Sequence, residues 1–189
     1  MRILGSSQSQ TYDLVANIQL SYKVSQDITL KTSLGYTDLK HHESSAYPYT
    51  IYLPNYGLGA ESSAIYYNDV ARRSWIIEPQ LNWKKLWGRL QTDLLGGATF
   101  QRQDNEQIAM SALGFAHNSL MNNPAAATYL TVSGNDESIY KYQAIFGRLN
   151  LQLDNRYIVN LTGRRDGSSR FGPSNRFAWL GAIGAAWIF

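Results

Sequence analysis

Polar and apolar residues alternate one by one along much of this chain. From Thr11 to Lys23, Tyr12, Leu14, Ala16, Ile18, Leu20 and Tyr22 share one face, with Asp13, Asn17, Gln19, Ser21 and Lys23 among those on the other, and only Val15 interrupts the polar side. Successive side chains of a strand point to opposite faces, so a period of two predicts a strand with one apolar face. A second run sets Ile28, Leu30, Leu34 and Tyr36 against Thr29, Lys31, Ser33 and Thr37. The break from Ser25 to Ile28, with Asp27 as turn former, predicts a hairpin joining the two.

The same pattern returns downstream. Trp75, Ile77, Pro79, Leu81 and Trp83 oppose Ser74, Glu78, Gln80 and Asn82; Leu90, Leu94, Ala98 and Phe100 oppose Gln91, Asp93, Thr99 and Gln101. Lys84 to Gly88 is the predicted tight connection between them. Ile145, Gly147, Leu149, Leu151 and Leu153 oppose Arg148, Asn150 and Gln152, and Tyr157, Val159 and Leu161 oppose Asn160, Thr162 and Arg164, with Asp154, Asn155 and Arg156 as the turn. A last run, Phe177 to Phe189, is apolar on both faces and carries Trp179, Ile183, Ala185, Trp187 and Phe189 on one of them. Proline at 79 argues mildly against a fully paired strand there.

Short turns after the first, third and fifth runs alternate with long connections at Asp38–Arg73, Arg102–Ser138 and Asp166–Arg176. An all-β fold of about seven consecutive antiparallel, up-and-down strands follows. Strands of roughly 9 to 11 residues, apolar outside and polar within, with short turns at one end and long loops at the other, describe a transmembrane β-barrel. A soluble β-sandwich also alternates and stays open as the alternative. Against it stand the aromatic ends of the runs, Tyr12 and Tyr22, Trp75 and Trp83, and Tyr157, placed where girdles would meet two headgroup levels. Two loops of such length on the same end are also unusual in a sandwich.

Composition narrows the function classes. The 189 residues hold 44% hydrophobic and 13% aromatic residues, with 13 Tyr and 5 Trp, a bias towards strands and membrane interfaces. Cysteine is absent, which removes disulfides and thiolate chemistry. The net charge of +3 comes from scattered Lys and Arg rather than a block, giving no support to nucleic-acid binding. No uncharged apolar stretch reaches the 18 residues of a membrane helix, and the opening MRILGSSQSQ shows no signal-peptide core.

Four segments carry a family resemblance. SWIIEPQLNW at Ser74–Trp83 with LLGGATFQ at Leu94–Gln101, the closing YIVNLTGRRDGSSRFGPSNRFAWLGAIGAAWIF at Tyr157–Phe189, and LSYKVSQDITLKTSLGY at Leu20–Tyr36 resemble the barrel of SusC/RagA-type TonB-dependent receptors. The likeness covers nearly the whole chain, the two longest loops excepted, and loops are where such families vary. It implies one partial barrel domain over residues 1–189, an internal slice without plug, signal peptide or terminal strand, because complete members close barrels of the 22-stranded transporter kind. Seven strands would leave two open edges, which lipid does not tolerate.

The resemblance further implies a multi-pass protein of the bacterial outer membrane, in contact with its lipids. It implies nutrient import driven by TonB through the parent's plug, with a SusD-like surface lipoprotein as partner and oligosaccharides or peptides as substrates. It implies no enzyme activity and no cofactor. This length alone is expected not to transport. The long loops are expected outside the cell and the tight turns in the periplasm.

Candidate side chains each have two readings. Arg164, Arg165, Asp166 and Arg170 lie in a cluster that runs to Pro173, and alternation puts Arg164 and Asp166 on the lumen face with Asn160 and Thr162. Guanidinium groups there would hydrogen-bond sugar hydroxyls or peptide carboxylates, or else brace a loop or plug through an Arg/Asp network. Tyr47, Tyr49 and Tyr52 sit in a Tyr-rich loop and would stack on sugar rings or face a lid protein, or simply pack the loop. His41 and His42 are adjacent and point apart, which disfavours a metal site. His117 has no nucleophile setting beside it, and Asp93 with Glu78 are ordinary lumen acids, so neither catalytic nor metal residues are predicted. An outer-membrane hydrolase is a further alternative that lacks its nucleophile.

Overall fold

A computed structural model describes residues 5–172 and 176–189. Seven strands follow one another: β1 (Ser6–Lys23), β2 (Ile28–Tyr47), β3 (Ala64–Trp87), β4 (Leu90–Leu113), β5 (Tyr129–Leu153), β6 (Tyr157–Ser168) and β7 (Phe177–Trp187). They form one antiparallel up-and-down sheet in sequence order, with β1 and β7 at its edges. No second sheet lies among the described residues, so the sandwich alternative falls. Pro173 and the first four residues, read above for the loop cluster and an export signal, lie outside the described residues.

Turn chemistry sets the hairpins. After β1, the Ser25 hydroxyl accepts from the backbone N–H groups of Asp27 and Ile28 at 3.2 and 3.1 Å, and the N–H of Val24 reaches the Ile28 carbonyl at 3.0 Å. Between β3 and β4 the turn is only Gly88 and Arg89. Gly88 has φ +60° and Arg89 does not have positive φ, the pattern of a two-residue II′ turn that needs glycine first. This corrects the predicted connection of Lys84–Gly88, since β3 continues through Lys84 to Trp87. In the third short turn Asp154 and Asn155 both take left-handed backbone, φ 54° and 57°, which Asp and Asn accept more readily than other non-glycine residues.

The long connections are shorter than the alternation predicts. Residues 48–63 and 114–128 link the strands, not Asp38–Arg73 and Arg102–Ser138, because β2 to β5 run to 20, 24, 24 and 25 residues. The added lengths include Lys40-His41-His42-Glu43 and Asp104-Asn105-Glu106-Gln107, wet on both faces, so no apolar face marks them as strand. Side-chain bonds accompany the backbone ladder there: Gln107 Nε2 donates to Asn68 at 2.8 Å, Arg72 Nε to Asn105 at 3.1 Å, and Asn105 Nδ2 to Ser138 at 3.1 Å.

The chain divides into two compact units. The first combines the residues up to Leu14 with Asp38–Arg73 and Asp104–Ser138; the second combines Val15–Thr37, Ser74–Gln103 and Ile139–Phe189. The first unit has its own small core of Ile65, Ala112, Phe115 and Met121, flanked by Ala46, Tyr67, Ala126 and Ala127. Ser63 ties its connections together. The Tyr49 N–H donates to the Ser63 hydroxyl at 2.9 Å, that hydroxyl donates to Asn118 Oδ1 at 2.9 Å, and the Gly114 N–H donates to the Ser63 carbonyl at 3.0 Å. Loops predicted to be variable are therefore internally packed.

Candidate functional site on the polar face

In the second unit the register of β5, β6 and β7 separates two faces. On one, Leu153, Tyr157 and Trp187 form a row across the strands, followed by Leu151, Val159 and Ala185, then Leu149, Leu161 and Ile183. On the other lie Arg148 with Thr162, Asn150 with Asn160, Phe146 with Arg164, and Ala144 with Asp166. Such alternation is what a barrel wall needs, lipid on one side and a wet lumen on the other. Trp75 to Trp83 and Trp179 to Trp187 each span nine residues on the apolar face, about the length of a tilted membrane strand. Tyr157 stacks on Trp187 with centroids 6.3 Å apart, as part of one aromatic level.

The polar face carries one closed cluster. Arg164 and Asp166 are two residues apart on β6 and so face the same way, and Arg164 Nε donates to Asp166 Oδ1 at 2.6 Å. Tyr142, on β5, closes the triangle: its hydroxyl donates to Asp166 Oδ1 at 2.9 Å and accepts from Arg164 Nη2. The guanidinium carbon also lies 5.7 Å from the centre of the Phe146 ring. Neutral hydroxyl, carboxylate and guanidinium each answer another, which fixes the side chains in place and leaves no poised nucleophile or base.

The remaining acids of this face have their own donors. Glu78 accepts from Thr99 Oγ1 at 3.1 Å; Asp93 accepts from Asn82 Nδ2 at 2.9 Å and pairs with Lys84 Nζ at 3.2 Å. In the first unit, His42 pairs with Asp69 and His41 Nδ1 bonds Thr11 Oγ1 at 2.8 Å. No group of three metal-ligating side chains gathers among the described residues.

The other sequence candidates separate. Arg165 is on the opposite, apolar face, paired with Ile145 and Trp179, and its guanidinium lies 3.8 Å from the Phe177 ring centre and 5.6 Å from that of Trp179. Arg170 stacks over Tyr140 at 4.5 Å. Its loop is pinned to β5 by Ser169, whose N–H reaches the Lys141 carbonyl at 2.9 Å and whose hydroxyl accepts the Lys141 N–H at 3.0 Å. Tyr47 ends β2 and meets Tyr66 edge-on at 5.8 Å; Tyr49 starts a single 3-10 turn, and Tyr52 follows it, exposed. Tyr142 was missed in the sequence because its neighbours on β6 lie more than twenty residues away.

The family model for the TonB-dependent receptor-like β-barrel matches residues 3–189. TonB-dependent receptor P3 of Formosa agariphila is 30% identical over 176 residues, 91% of this chain and 17% of that protein. TonB-dependent receptor P26 of the same organism is 31% identical over 150 residues, 76% of this chain and 14% of that one. The chain thus spans about one sixth of the length of the curated relatives it matches. The RagAB peptide transporter structure superposes with a TM-score of 0.83 at 20% identity, covering 96% of this chain and 20% of that one. The siderophore receptor PiuA from Acinetobacter baumannii superposes at 0.54 and 13% identity, over 94% of this chain and 29% of that one. Two-faced strands, alternating turns and a family match over nearly every residue agree: the chain belongs to the TonB-dependent receptor β-barrel family of the bacterial outer membrane.

Proposed function

We propose that these strands are wall of an outer-membrane importer, a TonB-driven receptor of the SusC/RagA type that takes up short polar oligomers, peptides or glycans, under a SusD-like lipoprotein lid. The observation that carries the reading is the polar face of β5 and β6, where Arg148, Asn150, Asn160, Thr162, Arg164 and Asp166 make a wet wall opposite an apolar one. Such a wall passes hydrophilic cargo and hydrogen-bonds it weakly at many points. The fold likeness to the RagAB peptide transporter supports the same class.

On this reading the Arg164, Asp166 and Tyr142 cluster braces the wall. Tyr49, Tyr52 and Arg170 are the candidates for contact with cargo or lid. The long connections face the medium and the tight turns the periplasm. Coupling to TonB belongs to a plug, so transport is a property of the whole receptor. The test is uptake of labelled oligopeptides and oligosaccharides by cells with and without the full-length receptor. Accumulation of one class that vanishes on loss of TonB is the expected result, and receptor-independent entry of both would sink the reading.

A further inference from the structure

Every acid of the second unit is engaged by a partner other than Arg170. Asp27 pairs with Lys85, Asp154 with Arg89 and Asp93 with Lys84, Glu78 accepts from Thr99, and Asp166 is shared by Arg164 and Tyr142. The Arg170 side chain is exposed and has neither an ion pair nor a hydrogen bond among the described residues; its one partner is the ring of Tyr140, 4.5 Å from the guanidinium carbon.

The position of this cation is nonetheless fixed. The Arg170 N–H donates to the Ser168 hydroxyl at 3.2 Å, the Phe171 N–H donates to the Ser168 carbonyl at 3.2 Å, and Ser169 makes its two bonds to Lys141. Tyr142 stands opposite Ser168 across β5 and β6, and the Ser169 to Lys141 link continues that register, so Arg170 falls opposite Tyr140. The rings of Tyr140 and Tyr142 lie 6.5 Å apart at 17°, side by side on one face of β5. That face is the polar one, which also carries Arg164 and Asp166.

A guanidinium laid over a ring gives up one of its flat sides and keeps its N–H edges. Those edges form the planar fork that matches the two oxygens of a carboxylate, and holding the side chain beforehand lowers the ordering cost of binding. The Tyr140 hydroxyl also has no hydrogen-bond partner among the described residues and is a second donor beside the fork. The neighbouring triangle does not compete for an anion, because Arg164 and Tyr142 are closed on Asp166. A neutral sugar hydroxyl would take one bond here and leave the charge unanswered, whereas a carboxylate takes two and neutralises it.

We propose that Arg170, seated on Tyr140, captures a carboxylate of the cargo, so that the receptor selects oligomers that carry one, the C-terminus of a peptide or the uronate of a glycan. The proposal deepens the importer reading and rests on it.

The test measures binding to the purified complete receptor with two matched pairs of probes. One pair is an oligopeptide with a free C-terminus and the same peptide as its C-terminal amide; the other is an oligouronate and its methyl ester. In at least one pair the free acid is expected to bind about tenfold more tightly, and the pair that shows the preference identifies the source of the carboxylate. Arg170→Gln should abolish the preference, Arg170→Lys should keep part of it, and Tyr140→Phe should reduce it by a few fold. A role confined to bracing the loop would leave the ratio of acid to masked acid unmoved. Equal binding within both pairs, or no binding of any probe, overturns the proposal without recourse to a variant. So does a retained preference in the Arg170→Gln receptor when its barrel shows normal heat-modifiable mobility. TonB-dependent uptake of the masked and free forms at equal rates would sink this inference alone and leave the importer reading standing.

Discussion

Arg89, in the turn between β3 and β4, holds both carboxylate oxygens of Asp154, in the turn between β5 and β6, with Nη2 to Oδ2 at 2.6 Å. The Asp154 N–H also donates to the Arg89 carbonyl at 3.0 Å. Asp27, in the first turn, makes the matching links to the end of β3, through its carbonyl to the Lys84 N–H at 2.8 Å and through its carboxylate to Lys85. Three turns far apart in sequence are thus laced side by side, which fixes the stagger of three hairpins.

Asp154 does two jobs, and substitutions separate them. The Arg89 side chain is largely exposed, so the ion pair contributes only about 0 to 1 kcal/mol, and Arg89→Ala is expected to cost no more. The left-handed backbone at φ 54° is the larger constraint. Asp154→Val is expected to cost about 1 to 2 kcal/mol beyond the lost pair, whereas Asp154→Gly relieves the strain. Urea unfolding of the three receptor variants ranks them; equal midpoints for the valine and glycine variants would refute the assignment.

The Tyr142, Arg164 and Asp166 triangle is expected to act on stability and not on cargo affinity. Tyr142→Phe removes a hydroxyl that both donates to Asp166 and accepts from Arg164, a loss of about 1 to 2 kcal/mol. A double-mutant cycle with Asp166→Asn should show coupling, because the two groups share one network. Uptake affinity for cargo should stay within about twofold. A large rise in apparent KM with unchanged stability would instead make the cluster a cargo contact.

Phe115 is 1% exposed and anchors the core of the first unit. Phe115→Ala is expected to cost about 3 to 5 kcal/mol, felt locally. Hydrogen exchange should accelerate across 48–63 and 114–128 while the strands of the second unit keep their protection. Ser63→Ala, which removes the hydroxyl between Tyr49 and Asn118, should give a smaller version of the same pattern. Uniform loss of protection throughout the receptor would contradict this separation.

The second unit was legible because its strands carry an apolar face. Ile18, Leu20 and Tyr22, or Leu149 and Leu151, announce their period by contrast with Gln19, Ser21 and Asn150. Strand extensions such as Lys40 to Ser45 have no such contrast, and their pairing lives in backbone bonds that composition does not encode. The same limit hid Phe115 and Met121, whose burial depends on the 114–128 connection folding against Ala46, Ile65, Tyr67 and Ala112 at the ends of β2, β3 and β4. Among site residues, the shared face of Arg164 and Asp166 followed from spacing alone. The partnership with Tyr142 required the register across strands.

Two adjacent glycines of β4 give a paired test of the face assignment. A Cβ on Gly96 would meet nothing within 4 Å, but a Cβ on Gly97 would lie 2.6 Å from Phe146 Cζ and 3.0 Å from the Pro79 carbonyl oxygen. The phenyl ring can yield somewhat, but the backbone of β3 cannot, so the clash has to be absorbed by the sheet. Gly96→Ala is expected to be neutral or to stabilise by up to about 1 kcal/mol, through the entropy it removes from the unfolded chain. Gly97→Ala is expected to destabilise by about 1 to 3 kcal/mol, as overpacking does. Trimming the ring in a Gly97→Ala/Phe146→Leu receptor should recover part of that loss, the share owed to the ring and not to Pro79. If Gly96→Ala proves the more damaging of the two, the faces of β4 have been assigned the wrong way round.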